Sequence, residues 1–148
     1  MNKTTAEILL IISATIFASV LMFLAEPMRR VMNKMDNRAS KQIISLLFQI
    51  GPRSPFLYIA TNLTGLAMIP YFIFFGFSNW WFTAGLAILL VAGSVAKVVK
   101  VPIYKTAKEL DAEDPKWMAA QKKWHNGNLY QGIFTCLAVC MMTIGLFY

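Results

Sequence analysis

The sequence predicts an all-α membrane protein: four transmembrane helices in an up-down-up-down bundle, with interfacial helices in two cytoplasmic loops. Three observations predict it. Of 148 residues, 57% are hydrophobic and only 14% charged, against about 25% charged in a typical soluble domain. A small water-soluble globule cannot hide that much apolar surface, whereas a bilayer solvates it. The apolar residues also fall into four runs, each long enough to cross hydrocarbon at about 1.5 Å of rise per residue. Lastly, thirteen of the fourteen basic residues lie in two loops between these runs, and the other, Lys3, precedes the first. At this length one domain is expected.

The first span, 8–25, has no charge over its eighteen residues. It exceeds the apolar core of a signal peptide and shows no small-x-small cleavage site, so it reads as a retained helix. In the loop 26–55, Met28, Val31, Met32 and Met35 recur at helical spacing, as do Ile43, Leu47 and Ile50. Both patterns suit helices lying in the interface, apolar side down. Gly51-Pro52-Arg53-Ser54-Pro55 then interrupts the helix. The second span, 56–77, is the most polar, with Thr61, Asn62 and Thr64 near one end and Pro70 past the middle. Pro70 has no N–H and leaves the carbonyl four residues back without its helical partner. The short Ser78-Asn79 link makes spans two and three an antiparallel hairpin, with Trp80 and Trp81 at the interface.

The third span, 80–96, carries Ala84, Gly85, Ala92, Gly93 and Ala96, small residues that let helices approach closely. Lys97 and Lys100 end it, and Pro102 argues against a regular continuation. Asp114-Pro115 reads as an N-cap followed by a first-turn proline. Trp117 and Trp124, one heptad apart, share a face laid on the membrane or on the bundle. Asn126-Gly127 reads as a turn and Asn128 as the cap of the last span, 129–148. The excess of lysine and arginine in the loops places 26–55 and 97–128 in the cytoplasm and both termini on the outer face. Basic residues so placed fit acidic lipid headgroups as a partner, and not nucleic acid.

Candidate functional residues concentrate in 97–131. His125 is the only histidine, the one side chain whose ordinary pKa lies near neutrality. It is a candidate general acid or base, walled by Trp124 and Tyr130 and oriented by Asn126, Asn128 or Gln131. The plainer alternative is an interfacial histidine bonded to headgroups or to its own loop. Lys97, Lys100, Lys122 and Lys123 crowd one surface with Glu26, which is expected to pair with Lys97 or Lys100. They form either a vestibule for an anionic or phenolic molecule or the ordinary cationic collar of a membrane protein. Asn62, with Thr61, Thr64 and Pro70, lines a cavity or joins two helices. Cys136 and Cys140 share a stripe with Gly132 and Thr143, read as a packing face with a redox or soft-metal site as the alternative. Met28, Met32 and Met35 read as interfacial hydrophobes. Neither a metal nor a cofactor is predicted. Glu7 and Glu26 bracket the first span, unlike the mid-membrane carboxylate of a proton-coupled exporter.

Four spans, Pro27 after the first, the short hairpin, Val101-Pro102-Ile103 at the exit of the third span and Trp124-His125-Asn126 before the last form a recognisable pattern. It resembles a broad family of small four-helix integral membrane proteins that includes the anthrone-oxygenase-like proteins. Members of that group are taken to oxidise polycyclic phenols with O2, without metal or flavin. Where an arginine is expected after the tryptophan, this chain has Asn128 and Gln131, and Tyr104 replaces a polar amide after the proline.

Two functional readings follow, with a third behind them. The first is an accessory or binding-type membrane protein whose ligand is partner helices, lipid or a lipophilic small molecule. The alternative is a cofactor-free oxygenase in which His125 takes a proton from a lipophilic aromatic substrate, with Lys97 or Lys100 stabilising the developing anion. The third is a transporter subunit completed by oligomerisation. A homo-oligomer or a partner membrane subunit fits the first and third readings.

Overall fold

Apolar helices with polar linkers account for most of the chain, which is 86% helical with no strand among the described residues. The computed structural model describes residues 2–148, with side chains described except at Pro52, Leu57, Tyr58, Ala60, Thr61, Asn62, Leu63, Ala96 and Lys105. Helix α1 (Lys3–Ala25) starts at Asn2, whose side chain accepts a hydrogen bond from the Thr5 N–H at 2.8 Å. Only Glu26 separates it from α2 (Pro27–Met32). The Asp36 carboxylate caps α3 (Asn37–Ile50), accepting from the Ala39 N–H at 2.7 Å. Such side-chain acceptors satisfy N–H groups that the first helical turn leaves unpaired.

A 3-10 turn, Gly51–Arg53, leads into α4 (Pro55–Phe75), which runs through Pro70. Gly76 then turns the chain with φ at 65°, a conformation that favours glycine. Asn79 caps α5 (Trp80–Val95), accepting from the Phe82 N–H at 3.0 Å. Its amide donates to the Gly145 carbonyl at 2.6 Å, so one side chain ties the start of α5 to the end of the last helix. Past α5 the chain does not stop. One π-helical turn, Ala96–Lys100, leads directly into α6 (Val101–Glu109). The wide turn brings Pro102 into the first turn of a new helix, where its missing N–H costs no bond.

Asp114 caps α7 (Pro115–Gly145), 31 residues long and so about 46 Å from end to end. The expected turn at Asn126-Gly127 is not made, and Asn128 caps nothing: both lie inside this single helix. Gly127 serves close packing instead, since a Cβ there would sit 2.9 Å from Val99 Cγ1. Three stretches, Lys3–Met32, Trp80–Glu109 and Pro115–Gly145, are long and apolar enough to cross a membrane.

Helix α7 is the centre of the bundle, packed on α1 and α5. Glycines set both contacts. A Cβ on Gly85 would meet the Ala138 carbonyl at 2.8 Å and Met142 Cγ at 2.5 Å, and one on Gly132 would meet Met22 Sδ at 2.7 Å. The packing stripe of α7 therefore runs through Gly132, Thr135, Ala138, Met142 and Gly145, all buried. The expected packing stripe through Cys136 and Cys140 is corrected accordingly. Both cysteines face outward, because the helix presents the edge of the small-residue stripe to its neighbours and turns the thiols away.

Among the described residues, antiparallel α1 and α4 are joined by three polar rungs. Lys3 Nζ donates to Ser78 Oγ just beyond α4 at 3.0 Å, Tyr71 Oη donates to a Glu7 carboxylate oxygen at 2.7 Å, and the Ser13 and Thr64 hydroxyls share a bond of 2.6 Å. Inside-out polarity completes the picture. Ile8, Ile12, Leu66, Ile69, Ile73 and Phe74 are exposed while Glu7, Ser13 and Thr64 are buried, the arrangement a hydrocarbon solvent requires.

The described residues form two cores. One joins Leu10, Ala14, Tyr71, Phe82, Leu86 and Met142 between the long helices. The other joins Met32 of α2, Ile44 of α3, Ile103 and Ala107 of α6, and Trp117 and Trp124 of α7. The tryptophans thus lie on the bundle, and the two basic loops fold onto one another. Lys41 Nζ donates to the Leu110 carbonyl, Asn37 Nδ2 donates to Glu113 at 3.1 Å, and the Phe48 ring meets Tyr104 at 5.4 Å.

Candidate functional site

Helices α4 and α5 leave the Gly76 turn in contact, with the Tyr71 and Phe82 ring centroids 5.0 Å apart. Farther from the turn a cavity of about 570 Å3 lies between them, bordered by Phe17 of α1 and Gln131 of α7. Phe17, Met68, Leu89 and Leu90 make its apolar wall; Lys97, Lys100 and Gln131 stand at its polar end. Half-buried Lys100 donates from Nζ to Gln131 Oε1 at 2.6 Å. Gln131 is buried on α7, where its backbone carbonyl accepts from Thr135 Oγ1 at 2.7 Å. The π-helical turn matters here, because it carries both lysines at the point where α5 gives way to α6.

The expected partner of these lysines is elsewhere. Glu26 pairs with Arg30, one turn along its own helix, and not with Lys97 or Lys100. Local geometry decides this, since residues four apart on a helix are neighbours. Among the described residues, no carboxylate forms an ion pair with either lysine. Lys100 is thus a cation drawn partly out of water with an amide oxygen as its partner, an arrangement that costs free energy until an anion joins it.

The remaining predicted site residues are dispersed. His125 is 3% exposed and lines a different cavity, of about 290 Å3, with Arg29, Ser40 and Lys122. Trp124 meets the His125 ring edge-on at 5.0 Å but belongs to the second core. Tyr130 is 57% exposed and lines a third cleft, between α6 and α7. Asn128 is fully buried and neither end of its amide has a hydrogen-bond partner. The Asn62 side chain lies outside the described residues. Lys97, Lys100 and Gln131 are therefore brought together, while His125, Tyr130 and the lysines that an oxygenase would combine line separate cavities.

Two groups of residues carry polar chemistry that the sequence does not signal. Glu7 is 4% exposed, held by Tyr71 and with Lys3 at 3.9 Å. Its partner lies 64 positions away, so no local spacing reveals the pair. Arg29 and Lys122 share the His125 cavity although they belong to different loops. Lys122 is expected from the sequence in a basic vestibule, but with Lys97, Lys100 and Lys123; its place beside Arg29 and His125 is not. The chain matches no protein-family model, and no curated protein or solved structure is significantly similar to it.

Proposed function

We propose that the protein is a four-span membrane protein of the binding type that holds an anionic amphiphile between α1, α4, α5 and α7. The observation that carries this reading is Lys100, half-buried without a carboxylate at the polar end of a largely apolar cavity whose hydroxyls, Thr64 and Ser94, are already bonded within the protein. An acidic headgroup seated on Lys97, Lys100 and the Gln131 amide supplies the missing charge. Its chain then lies along Phe17, Met68, Leu89 and Leu90, burying apolar surface at about 25 cal/mol per Å2. Binding sites with apolar walls and a few convergent polar groups are the usual form for such ligands.

In this reading α4, which runs through Pro70, is the fourth span, and the basic loops 26–55 and 97–128 face the cytoplasm. Lys97 and Lys100 then sit at the inner headgroup level, where long basic side chains reach water or phosphate. A reporter fused after Tyr148 should be active on the outer face; activity in the cytoplasm would overturn the orientation.

The ligand is tested by native mass spectrometry of protein extracted from phosphatidylglycerol-containing membranes in mild detergent. Wild-type protein should carry an anionic lipid or acid adduct. The double variant Lys97→Met, Lys100→Met should carry one adduct fewer while keeping its helical circular dichroism. The same number of adducts on both proteins, or none on either, would sink the reading.

A further inference from the structure

We infer that the His125 cavity is a second anion site, built for a phosphate oxyanion and independent of the amphiphile cavity. The two cavities share no lining residue. Buried polar groups are almost always hydrogen-bonded, yet at 3% exposure neither ring nitrogen of His125 has a partner. The Leu24 carbonyl lies beside the ring at the border of hydrogen-bond range, which still leaves one ring nitrogen for the cavity. A ring nitrogen left over in this way, on the wall of a cavity of about 290 Å3, is accounted for by a ligand that occupies the cavity.

The walls name the chemistry of that ligand. Arg29 and Asn33 come from α2 and its C-terminal cap, Gln121 and Lys122 from α7, one turn before His125. All five can donate, two are cations, and no carboxylate lines the cavity. Ser40 adds no donor, since its hydroxyl is given to the Met32 carbonyl at 3.0 Å. Asn37, on the same wall, gives its amide N–H to the Glu113 carboxylate at 3.1 Å, and Glu113 itself does not line the cavity. Donors converging from two helices suit a tetrahedral oxyanion, which accepts from several directions, better than a planar carboxylate. Arg29 supplies the planar fork that binds phosphate oxygens in pairs. The phosphate can belong to a lipid headgroup or be free in solution, and its recognition is the same in either case.

The test uses full-length protein carrying Lys97→Met and Lys100→Met, so that the other cavity contributes nothing. Inorganic phosphate is titrated calorimetrically in detergent, and in parallel the protein is placed in phosphatidylcholine nanodiscs with or without phosphatidic acid and weighed by native mass spectrometry. Arg29→Gln should weaken binding roughly tenfold or more, the usual cost of one hydrogen bond to a charged group. His125→Gln should do the same where it folds; Arg29→Gln is the variant that decides, because its side chain is only half-buried. Phosphate binding that Arg29→Gln weakens identifies a soluble ligand. Phosphatidic acid adducts that Arg29→Gln removes, without phosphate binding, identify a headgroup. If neither probe binds, or if Arg29→Gln binds both as its parent does, the site does not exist.

Discussion

Gly85→Val is expected to destabilise the protein by about 1–3 kcal/mol, the usual cost of overpacking a tight contact. At Gly85 the α5 backbone lies so near α7 that a Cβ would stand 2.8 Å from the Ala138 carbonyl and 3.1 Å from the Met142 N–H nitrogen. Those are backbone atoms and cannot swing aside, so α5 must move as a body. Movement there strains the Asn79 link to Gly145 at one end and the seat of Lys100 on Gln131 at the other. A lower melting temperature in detergent is therefore expected together with weaker retention of the proposed amphiphile. Adding Met142→Ala should recover only part of the loss, because it clears the Cγ contact at 2.5 Å and leaves the carbonyl in place. Full recovery would show that the side chain alone sets the approach of the two helices.

Trp117→Ala is expected to cost about 3–5 kcal/mol, the range for removing a large aromatic from a packed core. The Trp117 side chain is fully buried among Met32, Ile44, Ile103 and Ala107, with Lys41 Nζ 6.0 Å from its ring. The residues of the core between the long helices belong to a separate cluster. The loss should accordingly be local. Hydrogen exchange should accelerate over α2, α3 and α6 while the amides of α1 and α5 stay protected, because regions with separate cores can open separately. Acceleration of equal size in α1 and α5 would show that the two cores unfold as one.

Much of the fold can be read along the chain, and the reason is local. Runs of apolar residues declare the long helices, as in 8–25, and Asp114-Pro115 declares the start of α7 through a cap that needs only neighbouring residues. Glycines are less readable. Gly127 next to Asn126 looks like a turn, and nothing nearby reveals that Val99, on another helix, demands the missing side chain. Cys136 and Cys140 mislead in the same way, since a stripe of small residues is visible in sequence but the rotation that buries one edge of it is not.

The candidate sites were legible in part. Composition and periodicity by themselves determine that this is a helical protein with helices of membrane length and basic linkers, because hydrophobic length and charge placement are properties of single segments. They also pick out Lys97, Lys100, Gln131 and His125 as polar residues in an apolar setting. Only the tertiary structure decides which of them meet. It sets Lys100 on Gln131 across 31 positions, sends Glu26 to Arg30, and leaves His125 facing Arg29 from the other loop. The physical reason is that cavities form where packed helices diverge, and that divergence depends on which small residues let α5 and α7 close upon each other.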